Sequence, residues 1–130
     1  LSAGAVSLIS LIGVLGLAFK ANTDDMREAP SIDIISLLEN DGAKITAFDP
    51  KAQGNAKAIL PNISHAKDAY SVADGADLLI ILTEWNEFRE LDFEEIKKRM
   101  KVLNIIDGRN LYDPEHLRAL GFNYVGVGRV

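Results

Sequence analysis

Short apolar runs alternate along this chain with segments whose apolar residues follow helical spacing. The runs predict strands at residues 11–19, 44–48, 62–65, 77–83, 102–106 and 122–127. A first helix is predicted to begin at Pro30 and to stop at Gly42, and further helices are predicted at 54–60, 68–74, 93–100 and 114–120. This alternation is typical of βαβ units built around a parallel sheet.

The best-supported strand is 77–83, Asp-Leu-Leu-Ile-Ile-Leu-Thr, in which five consecutive residues are branched aliphatics. Such a run suits a strand that helices cover on both faces. We therefore predict an α/β fold: a Rossmann-like, doubly wound three-layer sandwich with a mainly parallel sheet of five or six strands. The strand order 3-2-1-4-5-6 is typical of such folds, and ligands bind outside the carboxyl ends of their strands.

One domain accounts for most of the chain. With 130 residues, 48% of them hydrophobic and 25% charged, we expect a single domain over 11–130, preceded at 1–10 by a tail, a linker or an expression remnant. Because the first residue is Leu1 rather than Met, we expect a fragment or a processed form. Residues 1–19 are uncharged, but three glycines and three serines interrupt them and no basic residue precedes them, so we predict no membrane span.

Charge and cysteine content exclude several classes of function. A formal charge of −5 argues against a general nucleic-acid surface, which needs clustered cations. The chain has no cysteine, so it forms no disulfide, thiolate metal site or thiol nucleophile. His65 and His116 lack carboxylates at metal-binding spacing, and we predict that both are ordinary surface residues and that there is no metal site. An anionic ligand must then be bound by local cations.

Two such cations follow predicted strands. Lys20 follows the first strand and Arg109 follows the strand at 102–106. In the expected strand order these strands lie two spacings apart, about 10 Å, which long side chains can bridge to hold a diphosphate or a carboxylate. Alternatively, Lys20 is solvated, and Arg109 bonds a helix C-terminus or Asp113.

The glycines near the first strand do not predict a dinucleotide site. Gly13 and Gly16 form GxxG rather than GxGxxG, and we expect them inside the strand, where they allow close packing against a helix. Asp49 ends the second strand, at the position where dinucleotide-binding folds place a ribose-binding acid. Without the glycine turn, we favour turn formation or capping for Asp49.

Four ordered segments carry a resemblance to a known family. They are the run from Leu17 to Ser31 (LAFKANTDDMREAPS), Phe48-Asp-Pro50, Thr83-Glu-Trp85 and Ile106-Asp-Gly-Arg-Asn110. The first resembles an FKxxTxDxRxSP-type segment, with Ala29 where serine is common. Together the four segments cover nearly the whole chain from Val14 onward. The chain therefore resembles the C-terminal, UDP-binding domain of the UDP-glucose and GDP-mannose dehydrogenase family.

The resemblance implies roles for four residues. Phe19, Lys20 and Arg109 would bind a UDP-sugar, and Arg27 would contact the pyrophosphate of NAD, which an N-terminal domain not contained in this sequence would mainly hold. Alternatively, Arg27 pairs with Asp24 or Glu28 on a solvated loop.

The family's cysteine nucleophile is also absent, so we predict no catalytic residue here and an inactive isolated chain. The full-length enzyme is expected to be a cytoplasmic homo-oligomer that oxidises a nucleotide sugar to its uronic acid. The loop is most similar to the UDP-glucose branch; GDP-mannose and UDP-N-acetylmannosamine relatives share most of it. A stand-alone nucleotide- or anion-binding module, and a structural or partner-binding domain, remain the alternatives.

Two further sets of residues follow or lie near these segments. Thr83, Glu84 and Trp85 form either a pocket wall or, through Trp85 and Phe88, an apolar plug over the sheet edge. The second set consists of Thr23, Asp24 and Asp25. These residues are expected to support the loop from Lys20 to Arg27 by bonding its backbone.

Overall fold

A computed structural model describes residues 11–18, 20–27 and 29–127. Six strands form one parallel sheet in the order β3-β2-β1-β4-β5-β6, as predicted. The strands are β1 Leu11–Leu15, β2 Lys44–Phe48, β3 Ser64–His65, β4 Leu78–Ile81, β5 Asn104–Asp107 and β6 Asn123–Gly126. Five of the six lie within predicted strands, and β5 extends one residue beyond the predicted 102–106, to Asp107.

Five helices connect these strands within the described residues. They are α1 Pro30–Asn40, α2 Gln53–Ile59, α3 Asn86–Arg89, α4 Phe93–Arg99 and α5 Pro114–Ala119. Local chemistry explains where several helices begin. Pro30 and Pro114 lie in the first turns of α1 and α5, where a missing backbone N–H costs little. Asp92 caps α4 by accepting bonds from the backbone N–H groups of Glu94 and Glu95. The sequence pattern did not predict α3, and the helix expected at 68–74 is only a 3₁₀ turn, Ser71–Ala73.

Helices cover both faces of the sheet. The side chains of β4 alternate between the faces, with Leu78 and Ile80 in one core and Leu79 and Ile81 in the other. Helices α1 and α2 close the first core, and α3, α4, α5 and the 3₁₀ turn close the second. The three-layer, doubly wound arrangement is therefore confirmed.

The two glycines of the first strand differ in role. Gly13 lies in β1, and a side-chain carbon there would contact the backbone carbonyl of Val72 in the 3₁₀ turn, so the close-packing interpretation is confirmed for it. Gly16 lies beyond the strand, with φ of +94°. The prediction of a strand reaching residue 19 was wrong, because this left-handed backbone ends the strand at Leu15.

The predicted tail at 1–10 and Phe19, the last residue of the predicted first strand, lie outside the described residues. Glu28 and residues 128–130 are likewise not among the described residues. Within the described ranges, no helix combines the length and apolar character that crossing a bilayer requires.

Candidate functional site

The carboxyl ends of β1, β4 and β5 meet at one edge of the sheet. Leu15 of β1 pairs with Ile81 of β4, which in turn pairs with Asp107 of β5. Lys20 and Arg109 follow the two outer strands of this trio, which are separated by two strand spacings of about 4.8 Å each. The segments that carry both cations therefore leave the sheet at the same edge, as the strand order predicts.

Arg109 forms an ion pair with Glu84, rather than with Asp113 or a helix C-terminus. Its Nη2 donates to Oε1 of Glu84 at 2.5 Å, while Oε2 of Glu84 lies 3.5 Å from Nη2 of Arg89. Hydrogen bonding to Arg109, and its charge, lower the pKa of Glu84. Both side chains of the Arg109–Glu84 pair are about two-fifths exposed, so an incoming anion can reach the guanidinium.

Lys20 is exposed and forms no ion pair with a described residue. Besides the bonds from Arg27, its charge contributes to lowering the pKa of Asp25, but no carboxylate of the described residues pairs directly with the ammonium, which is therefore available to a ligand.

The two residues before Phe19 are held by three buried side chains, which we call the loop clamp. Asp49 accepts bonds from the N–H groups of Leu17 and Ala18 through Oδ2, at 2.8 and 3.2 Å. Ser31 donates to the carbonyl of Leu17 at 2.6 Å. Thr83 donates to the carbonyl of Ala18 at 2.9 Å. All four backbone polar groups of these residues are thus satisfied.

The loop clamp was only partly foreseen from the sequence. Oδ1 of Asp49 accepts bonds from the N–H groups of Lys51 and Ala52, which confirms the turn that was one of the two predictions for this acid. The N-cap residue of α2 is Ala52, and no described side chain caps this helix. Its bonds to residues 17 and 18, and the whole role of Ser31, were missed. The one signal in the sequence was an acid directly after an apolar strand; nothing marks Ser31, because its partner lies 14 residues away.

A buried carboxylate holds the backbone at Arg109 in a similar way. Asp107, completely buried, accepts bonds from the N–H of Arg109 at 3.1 Å and of Tyr112 at 3.0 Å, and from the hydroxyl of Tyr124 at 2.7 Å. Burial, and next the charge of Asp107, raise the pKa of the Tyr112 hydroxyl, which donates to the carbonyl of Phe88. The role of Asp107 was also missed from the sequence.

The loop that carries Arg27 supports itself. Thr23 accepts a bond from the N–H of Asp25, and Asp25 accepts from both the backbone and the guanidinium of Arg27 at 2.9 to 3.0 Å. The bonds from Arg27 hold the pKa of Asp25 at about 2. The predicted supporting role of Thr23 and Asp25 is confirmed, and Asp24 adds a backbone carbonyl that accepts from Asn55 at 2.8 Å.

The Arg27 side chain remains 89% exposed. Its partner is Asp25, not Asp24 as one alternative held, and Glu28 lies outside the described residues. The guanidinium therefore still presents donors to solvent.

The burial of four further residues bears on their predicted roles. Thr83 is 1% exposed and so is no pocket wall, whereas Trp85 packs against the core that contains Phe88, as the plug interpretation holds. His65 is half-buried, and neither ring nitrogen has a hydrogen-bond partner among the described residues. The surface prediction for His65 was wrong, because both ring nitrogens are buried. His116 is exposed as predicted.

Described residues line two open cavities near this edge. One of about 350 Å³ is walled mainly by apolar side chains, including Ile34 and Leu82, and reaches Arg109. The other, of about 830 Å³, includes Arg27 and Asn55. No cluster of three or more potential metal ligands occurs among the described side chains.

Comparison with known proteins gives a consistent result. Residues 13–114 match the model of the UDP-glucose/GDP-mannose dehydrogenase family, UDP binding domain. The UDP-glucose 6-dehydrogenase of Rhizobium meliloti (strain 1021) is 45% identical over 120 residues, which cover 92% of this chain and 28% of that protein. The UDP-glucose 6-dehydrogenase TuaD of Bacillus subtilis (strain 168) is 44% identical over 119 residues, 91% of this chain and 26% of the relative.

A solved structure shows the same fold. The UDP-glucose dehydrogenase from Pyrobaculum islandicum superimposes with a TM-score of 0.76 at 34% identity, over 93% of this chain and 26% of that one. This chain thus spans about a quarter of the length of the proteins it matches.

Proposed function

The chain belongs to the UDP-glucose/GDP-mannose dehydrogenase family, and we propose that it is the nucleotide-sugar-binding domain of an NAD-dependent UDP-glucose 6-dehydrogenase. The enzyme would oxidise UDP-glucose to UDP-glucuronate in a four-electron reaction. The observation that supports the proposal is that Lys20 and Arg109 follow β1 and β5, whose carboxyl ends lie at one edge of the sheet, and that Glu84, which follows the intervening strand β4, pairs with Arg109.

The two cations would bind the anionic part of the substrate. Arg109 can present a planar fork to two phosphate oxygens, and Lys20 adds a point charge. A diphosphate approaching Arg109 replaces the carboxylate of Glu84 as its partner, so the guanidinium stays neutralised throughout. Phe19 would line the same pocket.

Arg27 would be this chain's contribution to NAD. Its exposed guanidinium, beside the open cavity that also includes Asn55, suits one contact with a pyrophosphate. The turn at Gly16 leads to a loop rather than into a helix N-terminus, so the chain has no dinucleotide fingerprint of its own. The bound nicotinamide would accept hydride in the oxidation.

The thiol chemistry of the family cannot reside here, since the chain has no cysteine. We therefore expect the 130-residue polypeptide alone to leave NAD unreduced in the presence of UDP-glucose. Appreciable NADH formation would contradict this expectation.

Calorimetric titration tests the binding proposal. UDP, UDP-glucose, GDP-mannose and NAD are titrated into the chain and into Lys20→Ala and Arg109→Ala, with Lys44→Ala as a matched control. Lys44 is also an exposed cation but begins β2, at the opposite edge of the sheet. We expect UDP and UDP-glucose to bind about tenfold more weakly, or worse, in the two site variants, because each loses a hydrogen bond to a charged group. Equal binding by all four proteins, or preference for GDP-mannose, would contradict the proposal.

A further inference from the structure

We propose that the loop clamp of Ser31, Asp49 and Thr83 positions Lys20 for its ligand. The inference rests on the proposed function, because it says which side chains hold Lys20 in place for a nucleotide sugar. The clamp residues act through the backbone and are positioning residues rather than contacts.

Burial excludes direct contact with a ligand. Ser31 and Thr83 are each 1% exposed and Asp49 is 2% exposed. Their polar atoms are instead aimed at residues 17 and 18, where the chain has already left the sheet. Side chains therefore replace the strand partners that would otherwise satisfy this backbone, and loss of any one leaves a buried polar group unpaired.

The clamp draws on three separate elements. Ser31 lies in the first turn of α1, Asp49 follows β2 and Thr83 follows β4. Residues 17 and 18 are therefore held by three different elements at once, whereas pairing with a single strand would hold them from one side only. Gly16 is equally constrained, because a side-chain carbon at its position would contact Thr83.

Thr83 also connects the two halves of the site. Glu84, the partner of Arg109, directly follows Thr83, and one residue separates the bonding partner of Thr83, Ala18, from Lys20. The bond from Thr83 to Ala18 therefore sets the spacing between Lys20 and the Arg109–Glu84 pair.

Amide exchange measured by NMR tests the positional claim without any ligand. Thr83→Val keeps the side-chain shape but removes the hydroxyl, whereas Thr83→Ser keeps the hydroxyl. We expect the amides of Leu17 and Ala18 to exchange about threefold to tenfold faster in Thr83→Val, and at near-original rates in Thr83→Ser. Ser31→Ala gives a second, independent variant should Thr83→Val fail to fold.

A double-mutant cycle tests the link to Lys20. We expect Thr83→Val to weaken UDP binding about threefold to tenfold in the original chain, and to have almost no further effect in Lys20→Ala, because the positioned group is then absent. In Arg109→Ala the effect of Thr83→Val should persist at least in part.

The outcomes separate the two proposals. Unchanged exchange at residues 17 and 18, or equally accelerated exchange across the sheet, would overturn the inference, as would additive losses in the cycle. Failure of the original chain to bind UDP would instead count against the proposed function, while the exchange comparison would still decide whether the clamp holds this loop.

Discussion

Arg109 and Glu84 are joined across the carboxyl ends of β5 and β4 by a hydrogen bond of 2.5 Å from Nη2 to Oε1. The cation that we assign to substrate thus already has an anionic partner. In the proposed function a diphosphate competes with this carboxylate, and we expect Glu84 to tune the affinity of Arg109 for the ligand without touching the ligand itself.

Removal of the competing charge should tighten binding. In Glu84→Gln the guanidinium keeps a neutral acceptor, and we expect the dissociation constant for UDP to fall about twofold to fivefold, the range for a partly exposed ion pair. Glu95→Gln is the control, since Glu95 is equally exposed and paired with Arg99 elsewhere; it should leave affinity unchanged. Weaker binding in Glu84→Gln would show that Glu84 orients Arg109 instead.

The buried carboxylate behind Arg109 should matter for stability. The carboxylate of Asp107 accepts bonds from two backbone N–H groups and one tyrosine hydroxyl. In Asp107→Asn an NH₂ group replaces one carboxylate oxygen, so at least one of these donors loses its acceptor. We expect the free energy of unfolding to fall by about 1–3 kcal/mol. Urea denaturation measures this loss. Asp113→Asn is the matched control: Asp113 caps α5, and asparagine caps a helix nearly as well. Equal stability of the two variants would contradict the role of Asp107.

Gly16 and Gly42 offer a second matched pair. Both have φ of +94°, but an added side-chain carbon meets Thr83 at Gly16 and open space at Gly42. We expect Gly42→Ala to cost about 1–2 kcal/mol in unfolding free energy from the left-handed backbone alone, and Gly16→Ala to cost more through steric overlap. Similar unfolding midpoints in urea would argue against the close approach at Gly16.

His65 should make stability depend on pH. Burial, and next the charge of Lys57, lower the pKa of His65 in the folded state. The unfolded state then binds more protons, so the stabilisation is complete above the unfolded pKa of about 6.5 and is lost progressively as pH falls through that value towards the folded pKa.

Urea unfolding at pH 7.5, 6.5 and 5.5 measures this dependence. The decline in stability should disappear in His65→Gln and persist in His116→Gln, because His116 is exposed. A decline that survives in His65→Gln would assign the effect to other groups.

The fold was predictable from local pattern. The alternation of apolar runs and helical spacing predicted the strand order correctly, because parallel βαβ units have few allowed topologies. The pattern failed where one residue decided the outcome. Hydrophobicity continues past Leu15, but the positive φ of Gly16 ends the strand.

The sequence predicted the positions of the two cations of the site but not the residues that hold them. Lys20 and Arg109 could be placed at one edge because they come within a few residues of the ends of strands whose order was expected. Their immediate partners could not, because the Arg109–Glu84 pair spans 25 residues and the Thr83–Ala18 bond spans 65.

The sequence by itself determined the family, the parallel sheet and the edge at which the cations gather, since these follow from residue order and hydrophobic period. Only the tertiary structure decided how those cations are held: Asp49, Ser31 and Thr83 on the Lys20 loop, and Asp107 and Glu84 around Arg109. Hydrogen bonds between buried side chains and distant backbone depend on three-dimensional contact, and neither spacing nor composition encodes which partners will meet.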